Sequence, residues 1–424
     1  MGGLKLNLSL LKNRNYSFFI LGNAISLIGD DFLAIGLSLY VLSLTGSASQ
    51  FATVLIAAML PTIFLSPITG SIIDRIDRKF VLVFTNLLRG AIMIAGFIYL
   101  SFCSANLMEL YIVSFIFGVC NSFYAPASMT VIPSILEEKD LVHGNLMSSI
   151  FNQICNVMAP IVAAYVYAFF GLKAVCLVDG VSFLVMGFII LSIKIKSGQV
   201  KNERKIFKSI ADGFRLYKDK ELLSISLNGM LTHMLIIPIF SIGFPYFVKT
   251  IFKGNDINFG TVQTICTIGT LFTFISVPFI TKRFADLKAL NITMYGMLGS
   301  ISILFLLNIS GVFNFMSISN LGMIIYLSIV GFLFYFSFST YLVFYTSFIQ
   351  KKVMTEYLGR FYALLEMLIA IGGVVGSKLY GFVFDIDYAF YPILIACIGM
   401  IIKLLLNLMI TPDKKLGVSS KLSS

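Results

Sequence analysis

Charged residues fall in short clusters along this chain, and between the clusters run apolar stretches too long for a soluble domain. No Lys, Arg, Asp or Glu occurs in Phe32–Ile73, Leu110–Leu136, Leu222–Val248 or Ala289–Gln350. A helix crosses a bilayer with about 20 apolar residues, so each of the longest stretches predicts two spans joined by an uncharged turn. The whole pattern predicts an all-α membrane protein with twelve spans, at 16–44, 48–73, 79–103, 107–134, 141–170, 173–194, 222–250, 258–281, 287–309, 316–348, 360–384 and 387–410.

The bases divide unevenly between the two ends of these spans. One side collects Lys5, Lys12, Arg14, Arg75, Arg78, Lys79, Lys139, the run from Lys194 to Lys220, Lys282, Arg283, Lys288, Lys351, Lys352, Arg360 and the lysines of the tail. The other side holds Lys173, Lys249 and Lys253. Basic loops stay in the cytoplasm, so both termini are expected inside. Lys378 and Lys403 fall within spans 11 and 12, close enough to the ends to snorkel outward. The one long hydrophilic stretch, 195–221, repeats Ile206, Ile210, Phe214 and Tyr217 at helical spacing. It reads as an amphipathic helix on the inner membrane surface, separating a six-span unit at 1–194 from a second unit with a short tail at 222–424.

Composition agrees. The mean hydropathy is +0.94, and 58% of residues are hydrophobic against 12% charged. A net charge of +11 alone would suggest a nucleic-acid partner, but its distribution follows membrane topology. Cys103, Cys120, Cys155, Cys176, Cys266 and Cys397 lie singly in apolar segments, without the spacing of metal ligands. No Gly-x-x-x-x-Gly-Lys-Ser/Thr loop, metal cluster or catalytic dyad occurs. The expectation is a protein that is not an enzyme and uses neither ATP nor a cofactor.

The two units resemble each other. Met158–Ala168 aligns without gaps to Ile371–Gly381, an offset of 213 residues (158 to 371), and Ile68–Asp74 aligns to Ile280–Asp286, an offset of 212 (68 to 280). Span 5 thus corresponds to span 11, and the turn after span 2 to the turn after span 8.

That first turn reads Gly70-Ser-Ile-Ile-Asp74-Arg75-Ile-Asp77-Arg78-Lys79. It resembles the signature loop of major facilitator superfamily transporters, with Asp77 in place of the second glycine. Gly29-Asp30, Arg89, Tyr124-Ala-Pro126, Ile132-Pro133, Asp179-Gly-Val-Ser-Phe183 and Gly359-Arg360 before span 11 are similar to the macrolide-efflux and enterobactin-exporter subgroup of drug:proton antiporters. Ala159-Pro160-Ile-Val-Ala163-Ala164 departs from the glycine-rich exporter motif of span 5. The resemblance implies two pseudo-symmetric six-helix bundles in a bacterial inner membrane, a small-molecule substrate, protons as the coupled ion, and a monomer. It also implies a latch: Asp74 would face the start of span 11, with Arg75 and Arg78 reaching Glu137, Glu138 or Asp140.

Charges within a membrane are functional hypotheses by default. Asn23, Ser26 and Asp30 share one stripe of span 1, whereas Asp31 lies about 100° round the helix among apolar residues. Asp30 is therefore expected to face the cavity and carry a proton. Glu366, whose repeat partner is the neutral Gln153, and His233 are further candidates for proton coupling. Arg89 and Asp179, on spans 3 and 6, are expected to be structural. The substrate cavity is expected to include Asn23, Ser26, Phe117, Asn121, Tyr124, Phe334, Phe338, Tyr341 and Tyr345, an aromatic wall suited to a hydrophobic or amphipathic molecule. The function expected is export of a drug or macrolide-like compound by proton antiport. A dedicated exporter of a siderophore, peptide or lipid-like metabolite is the alternative.

Overall fold

The computed structural model describes residues 8–73, 76–128, 131–137, 140–194, 214–284, 286–310, 320–353, 355–387 and 389–408. These are helical throughout their length apart from turns. Eleven helices among them are long and apolar enough to cross a membrane, and one of the eleven is two spans in series.

The helices are α1 (Arg14–Thr45), α2 (Ala48–Ile73), α3 (Arg78–Phe102) and α4 (Leu107–Ser128, followed by a short turn Val131–Ile135). The continuous element Leu141–Ser192 holds α5 (141–170) and α6 (172–192), broken at Gly171 with φ 71° and ψ −173°. Those angles are open to glycine and strained for any other residue, so one glycine sets the reversal between the fifth and sixth spans. Then follow α7 (Lys220–Ile251), α8 (Asp256–Thr281), α9 (Asp286–Ile303, ending in a 3-10 turn Leu304–Asn308), α10 (Asn320–Lys352), α11 (Thr355–Ile386) and α12 (Phe390–Leu408). Gly359 and Arg360 lie inside α11, which starts earlier than its apolar pattern. Neither residue breaks a helix as proline does, and a glycine costs only about 1 kcal/mol.

Polar caps define several ends. Asn13 accepts from the amides of Asn15 and Tyr16 to start α1, and Asp219 accepts from Glu221 and Leu222 to start α7. The two caps occupy the same place in the two units. Asp77 accepts from the Lys79 amide at 2.9 Å and starts α3, which explains its stand-in for glycine, since Asp caps and Gly only tolerates the position. Lys79 Nζ donates to the carbonyls of Leu191 (2.9 Å) and Ile193 (3.0 Å), closing the end of α6. Asp74, Arg75, Glu138 and most of the amphipathic stretch lie outside the described residues.

Small residues let helices approach within each bundle. On α1, Gly22, Gly29 and Gly36 recur every seven residues and face Met186, Asp179 with Ser182, and Val175 of the fifth–sixth element. The molecule's exterior carries Phe64, Phe102, Phe169, Ile275 and Leu321, an apolar coat that suits lipid. Between the bundles, Gly373 and Gly381 of α11 lie against Met59 and Ala52 of α2, and Gly260 of α8 meets Ala164 and the Pro160 carbonyl of α5. The contact at Gly373 lies near the middle of its helix, and those at Gly381 and Gly260 lie toward the end that carries the α1–α2 turn. There Asp385 of α11 accepts from Ser47 Oγ (2.8 Å), the Ala48 amide (2.9 Å) and the Ser49 amide (3.3 Å). One bundle therefore caps the first turn of the other.

Candidate functional site

Four helices of the first bundle bring their polar residues to one place. Arg89 of α3 is 2% exposed, and its NH1 lies 3.7 Å from Asp30 Oδ1 of α1. The guanidinium lies over two rings, with its Cζ 4.7 Å from the centre of Tyr124 (α4) and 4.3 Å from that of Phe183 (α6). This geometry offsets part of the desolvation of the charge. Its Nε and NH2 are buried with no hydrogen-bond acceptor. Asp30 differs from Arg89 in exposure: its side chain stays 41% open although helices surround it, as expected of a group facing an interior opening.

The polar line continues across the bundle. The Tyr124 hydroxyl donates to Asn23 Oδ1 at 3.4 Å, and Asn23 Nδ2 donates to Asn152 Oδ1 of α5 at 3.2 Å. Phe117 packs edge-on to Phe183 at 5.8 Å. Asn121 is exposed between Phe117 and Tyr124 on the same face of α4, while Ser26 is buried.

Asp179 is the unexpected member. It is fully buried on α6, and neither carboxylate oxygen has a hydrogen-bond partner. A Cβ at Gly29 would come within 2.5 Å of its Oδ1, so it lies directly against the turn of α1 that presents Asp30. Sequence spacing placed Asp30, Arg89 and Asp179 on three separate spans and gave no sign that they meet.

The second bundle holds a related arrangement, with no carboxylate in it among the described residues. Lys403 of α12 is fully buried. Its Nζ donates to Thr232 Oγ1 at 2.7 Å and sits 3.8 Å from the centre of the Tyr341 ring. It does not snorkel as expected, because α12 turns it inward and Thr232 and Tyr341 supply the contacts that water would have given. The Tyr341 hydroxyl donates to Asn228 Oδ1 (3.1 Å), and Asn228 Nδ2 donates to the Lys403 carbonyl (3.3 Å). Each bundle therefore buries a cation over a tyrosine whose hydroxyl meets an asparagine: Arg89, Tyr124 and Asn23 in one, Lys403, Tyr341 and Asn228 in the other. Sequence spacing does not single out Asn152, Asn228 or Thr232, which these hydrogen bonds bring into the two groupings. The one available signal was Lys403, a lone base deep in an apolar span.

The remaining candidates are placed as follows. Phe334, Tyr341 and Tyr345 are buried, and Phe338 is partly buried. Phe334 stacks on Phe240 of α7 with centroids 3.7 Å apart, and Tyr345 donates to the Ile225 carbonyl at 3.0 Å. The aromatic line of α10 is thus packed on α7 in this conformation, not open as a wall. His233 Nδ1 is 3.1 Å from the Gly229 carbonyl of its own helix, within a segment where α7 widens into π-helical turns (Thr232–Ile236, Ile239–Gly243 and Phe247–Ile251). Such turns often mark functional positions. Glu366 is exposed on α11 with no ion pair among the described residues. The structure brings neither Glu366 nor His233 to the Asp30–Arg89 pair.

A family model described as Major Facilitator Superfamily matches residues 19–377. The chain belongs to the major facilitator superfamily. This makes it a transporter by family, and the twelve spans in two pseudo-symmetric six-helix bundles are the family's fold. Macrolide efflux protein A of Streptococcus pyogenes is 24% identical over 394 residues, covering 90% of this chain and 93% of that relative. Among solved structures, the nucleoside transporter NupG superposes with a TM-score of 0.71 at 14% identity, over 93% of this chain and 98% of the other. A bacterial homologue of the iron transporter ferroportin, in its inward-facing state, gives 0.71 at 16% identity over 93% and 98%. At these identities the structural likeness speaks to the fold alone.

Proposed function

We propose that this transporter exports a hydrophobic or amphipathic small molecule by proton antiport, through alternating access. The observation that carries the reading is the Asp30–Arg89 pair: a buried cation whose carboxylate partner remains open to the interior. Neutralising that carboxylate, by a proton or by a cationic part of the substrate, would weaken the tie between α1 and α3. Proton and substrate would then compete for one carboxylate, and binding that is mutually exclusive at one site is the linkage that antiport requires. The name of the streptococcal relative supports a macrolide-like substrate, and the phenylalanine and tyrosine side chains of α4 and α10 suit one.

With the bases counted inside, both termini are cytoplasmic and the bundle contacts around Asp385 lie on the external side. The conformation is then closed outward. Units 1–194 and 222–424 would rock against each other about the interior site, joined by the stretch 195–221, as one molecule per transport cycle in a bacterial inner membrane. The Asp74 latch would act at the opposite end.

The test is transport in proteoliposomes under an imposed pH gradient, with a macrolide as the probe. Wild type should accumulate the probe against its gradient, whereas Asp30→Asn should fold, insert and fail to do so. Full gradient-driven accumulation by Asp30→Asn would remove Asp30 from the mechanism.

A further inference from the structure

We propose that the proton held in this conformation sits on Asp179, with Asp30 the ionised partner of Arg89. This deepens the antiport reading and rests on it for its place in a transport cycle, although the position of the proton is testable by itself.

The first argument is charge balance. The groups facing Asp179 are Asp30 from α1, Arg89 from α3, and Ser182 and Cys176 from its own helix, with Tyr124 and Cys120 of α4 beside Arg89. Among the described residues that is two carboxyls for one guanidinium. Two ionised carboxylates beside one cation would leave an uncompensated negative charge in the apolar interior of a membrane protein, which is far costlier than protonating one of them. One proton on the pair makes the group neutral.

The second argument is geometry, and it decides which carboxyl holds the proton. Asp30 has the guanidinium at 3.7 Å and an open side chain, so its charge is both paired and accessible to water. Asp179 has no acceptor or donor on either oxygen and no exposure. A bare carboxylate in that setting lacks every compensation that a neutral carboxyl needs far less. The close approach at Gly29 keeps the two acids on adjacent faces of the α1–α6 contact.

The third argument concerns what the unpaired nitrogens of Arg89 permit. NH1 meets Asp30, while Nε and NH2 have no acceptor. If Asp30 takes a proton or meets a cationic substrate group, Arg89 loses its counter-ion and can turn those free donors to Asp179. Asp179 then ionises and releases its proton. One O–H bond breaks on Asp179 and one forms on Asp30 or water, with no other bonding change. The two acids compete for a single arginine, and their exchange moves one proton for each change of state.

Infrared spectroscopy of the purified full-length protein at neutral pH reads this directly. The carbonyl stretch of a desolvated, protonated carboxylic acid should appear in wild type, vanish in Asp179→Asn and persist in Glu366→Gln. It should also weaken in Asp30→Asn, because Asp179 would then ionise against Arg89. Absence of the band in wild type overturns the proposal, even if Asp179→Asn fails to fold. Persistence of the full band in Asp179→Asn, with loss only in Asp30→Asn, places the proton on Asp30 and also overturns it. In proteoliposomes, Asp179→Asn should still exchange labelled for unlabelled macrolide while losing accumulation driven by the pH gradient. Retained accumulation would count against the proposal. If wild type itself shows no gradient-driven accumulation, antiport fails while the infrared result stands or falls independently.

Discussion

Removing the Asp385 carboxylate should open the end of the molecule that it closes. Asp385 of α11 accepts three hydrogen bonds from residues 47–49, two of them from the first amides of α2. Those amides have no partner within their own helix, and the positive end of the helix favours an anion there. Loss of an N-cap acceptor costs about 0.5–2 kcal/mol. The dipole contribution adds roughly 0.3–1 kcal/mol at an exposed site. Ser47 Oγ already reaches the Gln50 amide at 3.3 Å and can cap α2 when the bundles part, which recovers some of this. The net bias toward separation in Asp385→Ala is therefore about 1–2 kcal/mol, roughly a 5- to 30-fold change in the closed-to-open ratio.

A distance measurement between the bundles reads that ratio. Cys103, at the end of α3, is the one exposed cysteine, and Tyr391, at the start of α12, is 53% exposed. Spin labels on Cys103 and Tyr391→Cys therefore report the separation of the bundles at this face. Asp385→Ala should shift population to the longer distance. Asp385→Asn, which keeps the acceptor and loses the charge, should fall between. Identical distance distributions in wild type and Asp385→Ala would refute the argument that this cap holds the bundles together.

Three further substitutions test the packing and the buried cations. Gly29→Ala would place a methyl group within 2.5 Å of Asp179 Oδ1 and nearer still to Ser182 Oγ. It should lower stability by about 1–3 kcal/mol, seen as a lower midpoint of thermal unfolding in detergent, and an unchanged midpoint would contradict the α1–α6 contact. Thr232→Val removes the hydrogen bond to the buried Lys403 amine and should destabilise by about 1–3 kcal/mol, whereas the double variant with Lys403→Met should recover most of that loss in the same assay. Asp77→Ala should cost α3 about 1 kcal/mol while Asp77→Gly costs a few tenths; equal unfolding midpoints for the two variants would show that the cap is not what residue 77 provides.

The spans were readable because membrane helices announce themselves by length and apolarity, which are local properties. The break at Gly171 fell where the pattern placed it, and the cap at Asp77 explains the departure of the signature loop from its family pattern. What sequence did not disclose is which buried groups meet. Asp30 and Asp179 lie on different spans, and Arg89 pairs with one of them across 59 positions of chain (30 to 89). Lys403 looked long enough to reach the membrane surface, but which way a side chain points depends on the helices packed beside it. The aromatic repeat of α10 had the period of a cavity wall and equally the period of a helix contact. Packing on Phe240 and Ile225 resolves that ambiguity for this conformation.

The most direct measurement of the central claim is proton movement driven by substrate alone. Proteoliposomes carrying an interior pH indicator, with no pH gradient imposed, receive a macrolide on the outside. Antiport through the Asp30–Arg89 site predicts that inward flow of the drug drives protons out, so the interior turns alkaline in wild type and stays level in Asp30→Asn. Drug entry at the wild-type rate with no change of interior pH would contradict the account.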